Sequence, residues 1–207
     1  MNASEFIENF PAYFQTETFD KPWELTHRLK KLLGDLIATL GNDFITENHI
    51  AVHRSAKVER GVTFHGPVVI LENCHISANA YFREGVFLDR NVKSGPGSEL
   101  KSSFIGSGSA MAHLNYIGNS IIGSGVNFEA GSIAANHYNE RLDRRIFIQW
   151  NGELIDTGVM KFGSLVGDGC RIGANAVLSP GTILGKNSVV KRLELVEQVK
   201  PNDRPLL

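Results

Sequence analysis

The chain has 207 residues with a formal net charge of −1, 42% of them hydrophobic and 21% charged, enough for one good core plus an appendage. That balance excludes a basic nucleic-acid surface and a polybasic membrane-seeking face, and no apolar run approaches the ~18–20 residues that span a bilayer. The opening stretch MNASEFIENFPAYF has no basic region followed by a long apolar one, so no signal peptide is read and a cytoplasmic location is expected. Glycine is the compositional deviation, with 21 copies that fall mostly after residue 60, where the chain must turn often.

Residues 1–45 are written in a different period from the rest and are expected to form an N-terminal helical cap. After the breaker Phe19-Asp20-Lys21-Pro22, apolar residues recur at Trp23, Leu25, Leu29, Leu32, Leu33, Leu36, Ile37 and Leu40. Spacings of three and four put them on one helical face. Asp20 is the expected N-cap, Pro22 the first turn and Gly41 the C′ stop. Such a helix covers the end of the next domain; a partner-binding helix is the alternative.

From about residue 52 the period becomes six: VERGVT, FHGPVV, ILENCH, ISANAY, FREGVF and LDRNVK run from Val58 to Lys93. Position one is large and apolar (Val58, Phe64, Ile70, Ile76, Phe82, Leu88), and position five is small or β-branched (Val62, Val68, Cys74, Ala80, Val86, Val92). Neither a helix of period 3.6 nor a two-residue strand alternation sustains that register. It fits an all-β solenoid over residues 46–195, whose stacked coils bury these positions, followed by a tail at 196–207. Cys74 and Cys170 sit at position five, which argues for buried free thiols rather than a disulfide.

The phase slips near Phe104 and returns around 121–133, then resumes from Val166 to Val189. Between these lies an insertion at 139–160. Its polar-apolar runs flank Asn151-Gly152, a type I′ turn signal, so a protruding hairpin over 144–157 is expected.

Chemistry-bearing residues gather at the slip. Ala112-His113-Leu114-Asn115-Tyr116 places a histidine and a tyrosine three apart, followed by Asn127 and by Ala135-Asn136-His137-Tyr138. A histidine suits removal of a proton from an attacking amine, although a lone histidine is more often structural. Upstream, Arg83 and Lys101 are eighteen residues apart; two such cations suit a phosphate, the Arg as a fork and the Lys as a point charge. Either alone reads as a solvated surface side chain.

The hexads resemble those of the hexapeptide-repeat acyltransferases, and the resemblance covers about 140 residues. It implies a left-handed parallel β-helix in which three hexads make one coil of a triangular prism. The hand comes from the resemblance, since the usual crossover rule favours the opposite one. Within that superfamily, AHLNYIGNSIIGSGVNFEAGSIAAN resembles the acetyltransferase domain of the bifunctional N-acetylglucosamine-1-phosphate uridyltransferases.

The resemblance implies that His113 is the general base toward the amine of glucosamine 1-phosphate. Arg83 and Lys101, in register with it, would bind the phosphate, and Tyr116 and Asn127 the sugar. Lys161, in KFGSLVGDG, is a further substrate contact. Ala130, Asn136, His137 and Ala174 would line the acetyl-CoA site, with an oxyanion donor among the amides of 130–136 or 173–175. His137 and Ala174 depart from the family's tyrosine and serine, on the side that sets donor geometry and exact sugar. Acetyl-CoA is the implied co-substrate, no catalytic metal is required, and a homotrimer with sites between neighbours is implied. Nothing in residues 1–50 resembles a nucleotide loop, so nucleotidyl transfer is not expected.

Three other readings compete. The acceptor could be galactosamine 1-phosphate or a nucleotide-linked amino sugar. A metal-dependent carbonic anhydrase on the same prism needs three zinc ligands, and of the seven histidines only His49 and His53 are close in sequence. A non-catalytic trimeric scaffold has no need of the Arg83, Lys101, His113, Tyr116, Asn127 and Asn136 constellation.

Overall fold

Each hexad builds one short strand and one corner, and three hexads close a coil. A computed structural model, describing residues 1, 3–14 and 21–200, shows this as a left-handed parallel β-helix with three walls. The first wall stacks Thr63–His65, residues 81–83 and 99–101, Tyr116–Gly118, Ile133–Ala134, Val177–Leu178 and Leu195–Val196. The second stacks residues 50–52, Val68–Ile70, residues 86–88 and 103–105, Ile121–Ile122, Ser164–Val166 and Thr182–Leu184. The third runs from Lys57–Val58 through Ala110–Met111 and Asn127–Phe128 to Val189–Val190.

The six-residue register holds because positions one and five both point inward. Ile70, Ile76, Phe82 and Leu88 share one buried cluster with Val68, Cys74, Ala80, Val86 and Val92. Val58, on the strand that begins the third wall, stays exposed because no earlier coil of that wall covers it. Asparagines turn several corners: Asn73, Asn79, Asn91, Asn175 and Asn187 adopt φ of 55 to 61°, the left-handed conformation that asparagine tolerates better than most residues. Both cysteines are free and buried, and the Cys74 thiol donates to the Asp89 carbonyl at 3.0 Å.

The phase slip has a specific origin. Arg83 pairs with Lys101 but Val86 pairs with Ser103, so two residues, Glu84 and Gly85, stand opposite Ser102 alone. This one-residue bulge shortens the offset between coils from eighteen residues to seventeen. Phe104 merely shows the consequence, pairing with Phe87.

The helix differs from expectation at both ends and in its docking. Asp20 lies outside the described residues; the helix α2, Pro22–Ile37, follows a preceding single turn α1 at Ala3–Phe6 and has Lys21 at its N-cap with no side-chain cap bond. It stops at Ile37, with Ala38 right-handed, four residues before Gly41, whose φ is not in the left-handed region. Its apolar face, with Trp23, Leu25, Leu29 and Leu33 buried, lies along the outside of the second wall, where Val69, Phe87, Phe104 and Ile121 also point outward. The helix therefore covers a flank, because those outward residues are apolar and need burial. Phe87 and Phe104 stack at 5.3 Å, and Phe10 and Phe14 close over them.

The insertion leaves after Ile133–Ala134 on the first wall, and the chain returns at Ser164–Val166, which pairs directly with Ile121–Ile122 on the second. Its hairpin is present, Phe147–Trp150 against Glu153–Asp156, with Asn151 and Gly152 at φ 48° and 82°. It does not stand clear of the solenoid. Ile146 and Ile148 are fully buried, and Trp150 packs on Phe6 at 5.1 Å, so its apolar side folds back onto the same flank. No helix among the described residues is long and apolar enough to cross a membrane.

Candidate active site

The first wall is bounded by two corners, and both carry expected site residues. At the corner with the third wall, backbone bonds stack Pro96, His113, Ala130 and Ala174 in successive coils: Leu114 N–H donates to Pro96 O, Gly131 to His113 O, Asn175 to Ala130 O and Leu193 to Ala174 O. His113 is exposed there. Buried Asn115 holds the turn, its Nδ2 donating to Glu129 O at 2.7 Å and to Ser132 Oγ at 3.0 Å. That residue was missed as a positioning group; its place beside His113 in AHLNY was the available signal.

On the wall itself, Arg83 and Lys101 are direct register partners, and Gly118 follows in the same column. Tyr116 follows Glu99 in the neighbouring column. Arg83 pairs with Glu99 at 2.7 Å and with Glu84 at 3.0 Å, while the other oxygen of Glu84 lies 3.2 Å from Lys101 Nζ. One carboxylate therefore bridges both members of the expected phosphate clamp. Burial pushes the Glu84 carboxyl up, but the hydrogen bond and charge of Lys101, with Arg83, outweigh it and hold the group below its ordinary range. Glu84 sits at φ 59°, as Ser102 and Asn119 at the same corner of later coils are also left-handed, and periodicity gave no hint of its role.

The Tyr116 hydroxyl is hydrogen-bonded to the Asn136 side chain, and burial, then the Glu99 charge, push its pKa up. Asn136 Nδ2 donates to Asn119 Oδ1 at 2.7 Å, and His137 Nδ1–H donates to Asn136 Oδ1 at 3.1 Å. Tyr116, Asn136, Asn119 and His137 thus form one chain of polar contacts. Lys161 joins Lys101, Ser102 and Asn119 in lining a cavity of about 250 Å³.

Asn127 is placed apart from this group. It faces outward on the third wall, in a cleft of about 270 Å³ with Glu129, Arg171, Gly173 and Arg192. The amides expected to include an oxyanion donor are largely committed. Gly131, Ser132, Ile133, Ala135, Gly173 and Asn175 donate to backbone carbonyls, whereas Ala174 N–H donates to a side chain, Glu129 Oε2 at 2.9 Å.

A family model described as the hexapeptide repeat of succinyl-transferases matches residues 165–191. A bifunctional sugar-1-phosphate nucleotidylyltransferase/acetyltransferase of Sulfurisphaera tokodaii is 32% identical over 171 residues, covering 80% of this chain and 42% of that one. The bifunctional protein GlmU of Methanococcus aeolicus is 30% identical over 173 residues, covering 81% and 41%. The chain thus spans about two-fifths of the length of these curated relatives. Among solved structures, a variant perosamine N-acetyltransferase from Caulobacter crescentus, in complex with CoA and GDP-perosamine, aligns with TM-score 0.44 and 16% identity over 77% of this chain and 60% of that one. The chain has the hexapeptide-repeat, left-handed β-helix fold and resembles the acetyltransferase part of these bifunctional enzymes.

Proposed function

We propose that the protein transfers an acetyl group from acetyl-CoA to the amine of an amino-sugar 1-phosphate, glucosamine 1-phosphate first. The observation that carries this reading is the stacking of Arg83 on Lys101 on the wall whose far corner carries His113. His113 lies five residues before Gly118, the register partner of Lys101. At about 3.3 Å per residue the two backbones are at most about 17 Å apart, a span that two long side chains and a sugar phosphate bridge between them.

In this mechanism Arg83 and Lys101 hold the phosphate, and Tyr116 with Asn136 orients the ring. His113 removes a proton from the sugar ammonium, and the freed amine attacks the thioester carbonyl. The tetrahedral oxyanion is met by Ala174 N–H, whose present acceptor is a side chain that can move away. Collapse forms the amide and releases the CoA thiolate, which takes a proton as it leaves. Both acetyl-CoA and the amino sugar are substrates; the donor would run past Ala130 and Ala174 toward Asn127, Arg171 and Arg192 on the third wall.

A homotrimer is part of the proposal. Leu114, Leu193, Leu195 and Val189 are 57% or more exposed at and beside the corner that carries His113, an apolar strip that a neighbouring copy would cover. Light scattering on the purified chain tests it.

Purified protein is incubated with acetyl-CoA and glucosamine 1-phosphate, and acetylated product is followed by mass spectrometry. Galactosamine 1-phosphate and a nucleotide-linked amino sugar are run in parallel. Turnover that His113→Ala abolishes, with circular dichroism and assembly unchanged, supports the reading. Near-normal turnover in that variant sinks the base assignment, and inertness toward all three acceptors sinks the activity.

A further inference from the structure

We infer that helix α2 completes an oxyanion site for a phosphate ester, adding Lys30 to Lys101 and Lys161 in the cavity beside the bulge. The inference deepens the sugar-phosphate reading above and rests on it for the ligand's identity. The cavity is lined by Thr26, His27 and Lys30 from α2 and by Glu84, Lys101, Ser102, Asn119 and Lys161 from the solenoid. Three lysines face a single carboxylate. Neither Lys30 nor Lys161 has an ion pair among the described residues, and the side chain of Lys101 is only 9% exposed. Lysine charge in excess of carboxylate around one open pocket favours an anion, and the Asn119 side chain can add a hydrogen bond to it.

The helix is held at this place by contact. A Cβ on Gly85 would lie 2.9 Å from Lys30 N and 3.0 Å from Lys30 Cα, so α2 rests its backbone directly on the bulge. Glu84 then spans Arg83 and Lys101 where an incoming phosphate would be gripped. An arriving dianion must displace that carboxylate, and the two unpaired lysines supply the attraction that makes the exchange favourable.

The seam continues. His27 and Lys30 also line a second cavity of about 750 Å³, with Lys31, Asn48, His49, Gly66 and Pro67, within the range of small-molecule sites. The phosphoryl group at Lys30 could therefore belong to a sugar 1-phosphate or to the diphosphate of a nucleotide-linked sugar whose remaining bulk fills this second space.

Titration calorimetry with the full chain, omitting acetyl-CoA, separates these cases. The probes are glucosamine 1-phosphate and uridine diphosphate; the variants are Lys30→Gln, Lys161→Gln, Arg83→Gln and, as a charge control on the third wall, Lys57→Gln. Loss of one charge-assisted contact raises Kd about tenfold, and this is expected for Lys30→Gln and Lys161→Gln with Lys57→Gln unchanged. Lys30 dependence for the monoester alone identifies a sugar phosphate, and for both probes a nucleotide-linked acceptor. A Kd within twofold of the parent in Lys30→Gln, with binding still lost in Arg83→Gln, overturns the inference and leaves the clamp reading standing. Lys30-dependent binding without acetyl transfer to any amino sugar keeps the inference and removes the proposed activity. Failure of the parent to bind either probe overturns the inference.

Discussion

Replacing Gly118 with alanine tests the site and the wall together. Gly118 stands in the Arg83–Lys101 column, and its φ lies outside the left-handed region, so alanine there meets no backbone penalty. The cost is steric. The new Cβ would lie 2.6 Å from Tyr116 Oη, 2.8 Å from Asn136 Cγ and 2.9 Å from Asn136 Nδ2, all inside the 3.0 Å that real Cβ atoms keep. Tyr116 can withdraw at its tip. Asn136 has less room, being 3% exposed and tied to Asn119 at 2.7 Å. Breaking one such buried hydrogen bond costs about 1–3 kcal/mol, or roughly 2–4 °C of melting temperature per kcal/mol for a chain of this size. If Tyr116 and Asn136 orient the sugar, the KM for the phosphorylated acceptor should also rise by about tenfold or more, since small misplacements are costly in positioned reactions. Thermal melts by circular dichroism and steady-state kinetics measure the two effects. Parent values of both would refute the packing argument, and a lowered melting temperature with unchanged KM would remove Tyr116 and Asn136 from the acceptor site.

Other outcomes can be stated. Phe104→Ala, which removes a fully buried ring from the stack beneath Phe10 and Phe14, should cost about 3–5 kcal/mol in urea unfolding; a loss below about 1 kcal/mol would show that α2 and the N-terminal segment cover the flank only loosely. Gly34→Ala lies within α2 and a Cβ there meets nothing within 4 Å, so it should stabilise by about 0.5–1 kcal/mol, visible as a higher urea midpoint. Burial pushes the Cys74 thiol up to about 12, so it should resist iodoacetamide at pH 8 until the chain is unfolded. The native state binds that proton more tightly than the unfolded one. Its contribution is therefore full below the ordinary thiol value near 9.0 and declines as pH rises from there toward about 12, a decline that Cys74→Val should lessen.

What was legible followed from which forces write a period into sequence. Inward positions must be apolar in every coil, so Ile70, Ile76, Phe82 and Leu88 announce the solenoid. The I′ turn needs two left-handed residues, so Asn151-Gly152 announces its hairpin. The docking of the helix and hairpin was not legible, because burial of an outward face writes no period of its own. Phe87, Phe104 and Ile121 occupy positions that elsewhere in the repeat face solvent, and only the folded chain shows that three segments converge on them.

The same distinction governs the candidate site. Arg83 and Lys101 could be matched by counting because a full coil is eighteen residues, and their contact is a property of the repeat. Glu84 could not, because it fills an ordinary third position of its hexad, and its contact with both cations depends on side-chain placement that no period records. The departure from the repeat lies in the next coil: Glu84-Gly85 matches Gly66-Pro67 two residues for two, whereas Ser102 faces the pair alone. The carboxylate that bridges the clamp and the glycine on which Lys30 rests share that two-residue corner. A deletion that leaves one residue there should therefore disturb the charge balance of the clamp and the seating of α2 at once. That coupling is the physical reason to treat the bulge as part of the site.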